Sequence, residues 1–147
     1  MSADDQSPSK LSLVLFSGGY DRVHYALAMA AAALASNRSA TLFFTMGAAK
    51  ALLASDAIGP GWRALHATED GASPLAADAS LIEKGVGGFE ELLSDCLALG
   101  ATVRVCEMGL RAMGLSSESL RGDVPVTSGG LITFLADASR HGAVVFV

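Results

Sequence analysis

Three short stretches carry residue types that can do chemistry. The run VRVCEMGLRAMGL, Val103 to Leu115, delivers Cys106 from a strand-like segment onto the start of a helix. There the sulfur faces unpaired N–H groups and the positive end of the helix dipole, which favour thiolate, the nucleophilic form. Glu107 beside it opposes this by adding negative charge, and Arg104 shares its face of the strand only if the strand runs regularly. A free cysteine is also among the most buried residue types, so position alone leaves a reactive thiol and a packed apolar residue equally open. SGGYDR, Ser17 to Arg22, sets a glycine turn between a strand and a helix N-terminus. That arrangement reads first as a plain tight turn capped by Asp21, and beside that as an anion site on Ser17, Gly18 and Gly19. TSGG, Thr127 to Gly130, is a third helix start of this kind. Thr127, Ser128 and Gly129 are its candidate anion ligands, or merely a cap with room for close packing.

The remaining reactive residue types are scattered. Cys96 falls on the apolar stripe of a helix, where core packing is its expected role; nothing in the spacing demands a disulfide with Cys106. His24, His66 and His141 have no second ligand-type residue at metal spacing, so no metal is expected. His24 lies in the first turn after SGGYDR, where it reaches the shared cleft or sits on the surface.

These residues need a scaffold, and the hydrophobic pattern supplies one. Leu11 to Phe16, Thr41 to Thr45, Ala101 to Val105 and Ala143 to Val147 read as short, near-continuous apolar strands, and Asp123 to Val126 as a shorter extended piece. Helices are expected over the alanine-rich Val23 to Ser36, over Gly47 to Ala54, Phe89 to Leu99, Glu107 to Met113 and Leu131 to Arg140. Residues 55–88 hold Gly59-Pro60-Gly61, Gly71, Pro74 and Trp62, and read as a long functional loop or insertion. Alternating strands and helices imply a single-domain α/β protein over residues 11–147. The expected fold is a flavodoxin-like three-layer sandwich with a five-stranded, mostly parallel sheet. In such folds the carboxyl ends of the strands build the site, which would gather Ser17 to Arg22, Cys106 to Gly109 and Thr127 to Gly130.

Composition limits the function classes. The 147 residues suffice for one ordinary core, and 51% are hydrophobic against 17% charged, with mean hydropathy +0.44. A net charge of −5 argues against nucleic acid, which needs a basic footprint. Residues 1–10, MSADDQSPSK, read as a disordered, polar N-terminus unlike a secretory signal. The longest apolar run, Tyr25 to Ala35, falls short of the roughly 20 residues of a membrane span. Cytoplasm is therefore the expected location, with both cysteines as thiols.

Four stretches, as they stand here, resemble the DsrE/DsrF-like sulfur-relay family, in particular its DsrE-like, peroxiredoxin-like branch. They are LVLFSGGYDRVHYALAMAAAA, ATLFFTMGAAKALL, FEELLSDCLALGATVRVCEMGLRAMGL and VTSGGLITFLADA, which together span most of the chain outside residues 1–10 and the middle loop. The third is the most specific, with a cysteine after the strand, a methionine-containing turn and then MGL. The end of the second strand departs from the branch, which tends to carry a bulkier aromatic there. The resemblance implies a flavodoxin-like fold, a homo-oligomer, and cytoplasmic sulfur trafficking without a cofactor. Cys106 is the residue that falls on the family's persulfide-bearing cysteine, taking sulfane sulfur from a donor protein and passing it to a partner thiol. Two other readings stand beside it. One is a non-catalytic oligomeric module that binds a small anion or nucleotide. The other is an ATP-using enzyme, because SGGYDR resembles the SGGxDS pyrophosphate loop with Arg22 in place of its hydroxyl. A self-associating surface is expected around the Trp62 loop.

Overall fold

The computed structural model describes residues 6–147. Its five strands are β1 (Lys10–Leu15), β2 (Ser39–Phe44), β3 (Thr102–Cys106), β4 (Val126–Gly129) and β5 (Ala143–Phe146). The α-helices are α1 (Tyr20–Ala35), α2 (Pro74–Glu83), α3 (Phe89–Ala98), α4 (Glu107–Ala112) and α5 (Leu131–Asp137), with tighter 3-10 turns at Met46–Leu52, Gly61–Ala64 and Ser117–Ser119. The strands form one sheet in the order β4-β3-β2-β1-β5, and every pair is parallel. This is a three-layer α/β fold of the flavodoxin-like kind expected from the alternation of elements.

Topology decides which face each helix covers. From β1 to β4 the chain steps across the sheet in one direction, and right-handed crossovers put every helix of that run on the same face. That face is the main core: Leu13, Leu15, Leu42, Phe44, Val103 and Val105 pack against Val23 and Leu27 of α1, Leu93 and Cys96 of α3 and Leu110 of α4. The step from β4 back to β5 reverses direction, so α5 crosses on the opposite face. This second face has a small core of its own, made of Val14, Phe43, Cys106 and Phe134.

Several boundaries differ from the sequence reading. Asp123 to Val126 is not the fourth strand; β4 begins at Val126, and Pro125 cannot donate a ladder N–H within a strand. Thr127, Ser128 and Gly129 therefore belong to an edge strand, while Gly130 caps the last helix, which begins at Leu131 as expected and ends at Asp137 rather than Arg140. Residues 55–88 are not a structureless loop, because they contain the Gly61–Ala64 turn and all of α2. Ser73 caps α2 by accepting from Ala76 N, and Pro74 at the first helical position has no N–H to leave unpaired. Helix α1 starts at Tyr20, with Gly19 as its cap residue, so Asp21 is not the cap. Of the N-terminal segment expected to be disordered, residues 1–5 lie outside the described residues. Lys10 already opens β1, and Arg38 donates to Pro8 O and to Ser7 Oγ. Trp62 is not a surface anchor but is buried between Tyr20 and Phe89, donating its indole N–H to Glu90.

Candidate functional site

The carboxyl edge of the sheet is drawn together by glycines. Gly18, after β1, lies against Gly47, after β2, so closely that a Cβ on Gly18 would meet the Gly47 carbonyl at 3.3 Å and the His66 ring at 2.9 Å. Gly109 in the first turn of α4 approaches the Thr45–Met46 backbone after β2 in the same way, with Met46 N 2.7 Å from a built Cβ. Met46 itself takes a left-handed conformation, φ 49°, to make the turn. The ends of β1, β2 and β3 thus meet backbone to backbone, which side chains at these positions would forbid.

Cys106 sits at the end of β3 as the cap residue of α4. Its Sγ accepts a hydrogen bond from Gly109 N at 3.4 Å. The β3–β4 register pairs Cys106 with Gly129, so the structure brings Thr127, Ser128 and Gly129 beside the cysteine as expected, though on a strand. Here the chain also changes face. α4 follows β3 onto the main-core side, α5 follows β4 onto the other, and adjacent strands whose connections part in this way leave a crevice at their carboxyl ends. A cavity of about 300 Å³ opens beside this point, lined by Glu107, Leu110, Arg111, Leu115, Ser117 and Ser128. Regular pairing of β3 puts Arg104 on the same face as Cys106. Its Nη2 is 3.8 Å from Asp137, and its buried Nε has no hydrogen-bond partner.

The sulfur is covered. Cys106 is 1% exposed, packed with Val14, Phe43 and Phe134, and Phe134 stacks on Phe43 at 4.8 Å. The cover is therefore α5, a helix of seven residues. At its far end Asp137 ties it to the sheet by accepting from Lys10 Nζ at 2.8 Å and Thr41 Oγ1 at 3.0 Å. The Lys10 hydrogen bond leads the influences that hold the Asp137 carboxyl below its ordinary range, with Thr41 and the Arg104 charge adding to it. Alternation within β2 and β3 encodes this tether, but only the register, which a sequence does not show, brings Lys10, Thr41 and Arg104 to one helix end.

The other sequence candidates fall elsewhere. Ser17, Gly18 and Gly19 lie at the same sheet edge, with β2 between them and Cys106. Their turn uses its own donors: Gly19 N donates to Ser17 Oγ and Tyr20 N to His66 O, while His66 N donates back to Gly18 O. Asp21 accepts from Glu69 N and so holds the 66–70 segment to α1. Cys96 is fully buried, its thiol directed at Leu27 O, and burial, reinforced by Asp95, pushes its pKa up to about 11. It packs on the main-core face while Cys106 packs on the other, and both are free thiols. Among the described residues no three His, Cys, Asp or Glu side chains gather as a metal site, and no helix is long and apolar enough to cross a membrane.

The fold and this edge define the class as an α/β protein with an all-parallel sheet and a strand-end cysteine beneath its last helix. No protein-family model matches the chain, and no curated protein matches it in sequence. Among solved structures it is similar to MTH1491 from Methanobacterium thermoautotrophicum, a protein of unknown function. The match has TM-score 0.55 and 14% identity over 94% of this chain and 98% of that one, a likeness of fold.

Proposed function

We propose that this protein carries sulfane sulfur on Cys106 and passes it to the thiol of a partner protein. The observation that carries the reading is the Gly109 N–H bonded to Cys106 Sγ at the carboxyl edge of β3. A donor N–H fixed on the sulfur stabilises negative charge there at the start and end of each transfer. In the accepting step the Cys106 thiolate attacks the outer sulfur of a donor persulfide. A new S–S bond forms, the donor's S–S bond breaks, and its electron pair leaves on the donor thiolate. Delivery is the same exchange with the partner as nucleophile and Cys106 as leaving group. Arg104 lies on the same face, two residues back along the strand, with its guanidinium turned to Asp137 of the covering helix. Both steps require α5 to withdraw Phe134 from the sulfur, and a seven-residue helix with one aromatic anchor and one ion-paired end is suited to such a movement. The fitting setting is the cytoplasm, where such donor and acceptor thiols stay reduced.

We also propose that the chain works as a homo-oligomer through the face that carries α5. Phe16, Val144 and Phe146, with Ile132 and Leu135 on the outside of α5, remain exposed there. Phe16 and Phe146 meet at 5.4 Å. These five residues bear no charge, and a second copy offers the same apolar surface. Sedimentation of the wild type and of Phe146→Asp tests this; dissociation on substitution supports it, and a monomeric wild type refutes it.

The sulfur-carrier reading is tested by incubating reduced protein with a persulfide donor and measuring intact mass. The expected result is a gain of one sulfur that dithiothreitol removes and that Cys106→Ser abolishes, with Cys96→Ala unaffected. No gain in the wild type, or a gain that survives Cys106→Ser, refutes it.

A further inference from the structure

A second cavity lies away from Cys106, between α1 and α2 on the outside of the main-core layer. It holds about 370 Å³, the lower end of the range for small-molecule sites, enough for one ring and a short chain. Its floor is apolar, formed by Ala72, Ala76, Ala77 and Leu81, and Tyr25 stands at its side with its ring largely exposed. The polar groups around it are Asp21, Asp70, Thr68, Ser80 and His24, and none of the lining residues is a lysine or arginine.

His24 gives the cavity a direction. It is 6% exposed, and its Nε2 lies 3.0 Å from Gly87 O. A carbonyl only accepts, so Nε2 carries the hydrogen, and in the Nε2–H tautomer Nδ1 is a bare acceptor. No hydrogen bond of the described residues uses Nδ1, and His24 lines the cavity. Both carboxylates are also held in place with acceptor capacity to spare. Asp21 accepts from Glu69 N and Arg22 N, and Asp70 Oδ1 accepts from Thr68 Oγ1. An apolar pocket that offers acceptors, two negative charges, an aromatic face and no cationic side chain is complementary to one chemistry.

We propose that this cavity binds a small organic cation with an apolar body, of the aryl-alkyl-ammonium class. The ammonium hydrogens meet Asp21, Asp70 and the His24 acceptor, and the body lies on the alanine floor against Tyr25. Anionic ligands are excluded by the two carboxylates. The neutral isostere keeps the apolar contact and loses the charge, which ranks the three ligand types without further assumptions.

Isothermal titration calorimetry on the intact protein tests this with phenethylammonium, phenethyl alcohol and phenylacetate. The expected order is cation first, the alcohol at least about tenfold weaker, and no binding of the carboxylate. Asp70→Asn keeps the oxygen that accepts from Thr68 Oγ1, and loss of its charge is expected to weaken the cation about tenfold or more. Ala76 is exposed, so Ala76→Phe fills the cavity without disturbing the core and is expected to abolish binding. Absence of cation binding up to the solubility limit, equal binding of alcohol and cation, or unchanged affinity in Ala76→Phe overturns the proposal.

Discussion

Replacing Phe134 by alanine removes the single aromatic anchor of the helix that hides Cys106, and its effect can be worked out in advance. Phe134 is 2% exposed and stacks on Phe43, while the neighbouring Ile132 and Leu135 face outward and contribute nothing to closure in the isolated chain. Truncating a buried phenylalanine costs about 3–5 kcal/mol. Opening α5 loses the same contacts that the substitution removes, so the lower figure applies almost wholly to the opening equilibrium. Each 1.36 kcal/mol is a factor of ten, hence the population of the open state should rise about 100-fold. When opening is fast relative to chemistry, alkylation of the thiol follows that population. The assay is mass-resolved iodoacetamide labelling of native protein at neutral pH, with Cys96 as internal control. Cys96 lies in the main core on the other face and labels only when the whole domain unfolds. The expected result is Cys106 labelling accelerated about 100-fold in Phe134→Ala with Cys96 still protected. Labelling of both cysteines in parallel, or a Cys106 rate within about threefold of wild type, refutes the assignment of α5 as the cover.

Three further outcomes follow from other contacts. Asp137→Asn removes a carboxylate whose folded-state pKa is depressed, so its contribution is present above the unfolded pKa of about 4 and is lost as pH falls through the lower folded value. Calorimetric melting should therefore find the variant less stable than wild type at pH 7, with the gap closing toward pH 2; a constant gap refutes the ion-pair origin. Asp78 is buried and accepts from both Tyr20 Oη and Phe89 N, so Asp78→Ala strands two buried donors. It should cost about 2–4 kcal/mol in urea denaturation, and a loss under about 1 kcal/mol refutes the account. Gly109→Ala forces a Cβ onto the Thr45–Met46 backbone and is expected to destabilise by about 1–3 kcal/mol, read as a fall in melting temperature; an unchanged value shows that the contact has slack.

What the sequence made legible divides along sequence distance. Apolar runs announced the strands, and the cysteine after VRV announced a strand-end thiol, because both are local patterns. Helix α2 was equally local, with Ser73 capping and Pro74 at the first helical position, but the glycines and prolines around it dominated the reading of residues 55–88. The TSGG stretch misled for the opposite reason. Its helix-cap residue types are favourable, yet pairing with Val103 to Cys106 holds them in an edge strand, so tertiary context overrode local preference.

The cover over Cys106 was not legible at all, and its cause is topological. Four strands laid down in one direction place all their helices on one face, and only the return from β4 to β5 covers the other. The same reversal makes the crevice beside the cysteine and leaves that face with a single short helix over it. Accessibility of the thiol is thus set by how firmly α5 lies on the sheet, through Phe134 on Phe43 and Asp137 on Lys10, Thr41 and Arg104. Three of those four pairings span more than 90 residues of sequence, Phe43 to Phe134 91, Thr41 to Asp137 96 and Lys10 to Asp137 127, while Arg104 joins Asp137 across 33. A residue's chemistry can be read from its type and its neighbours. Whether that chemistry is open to a partner is decided here by contacts that the linear chain keeps far apart.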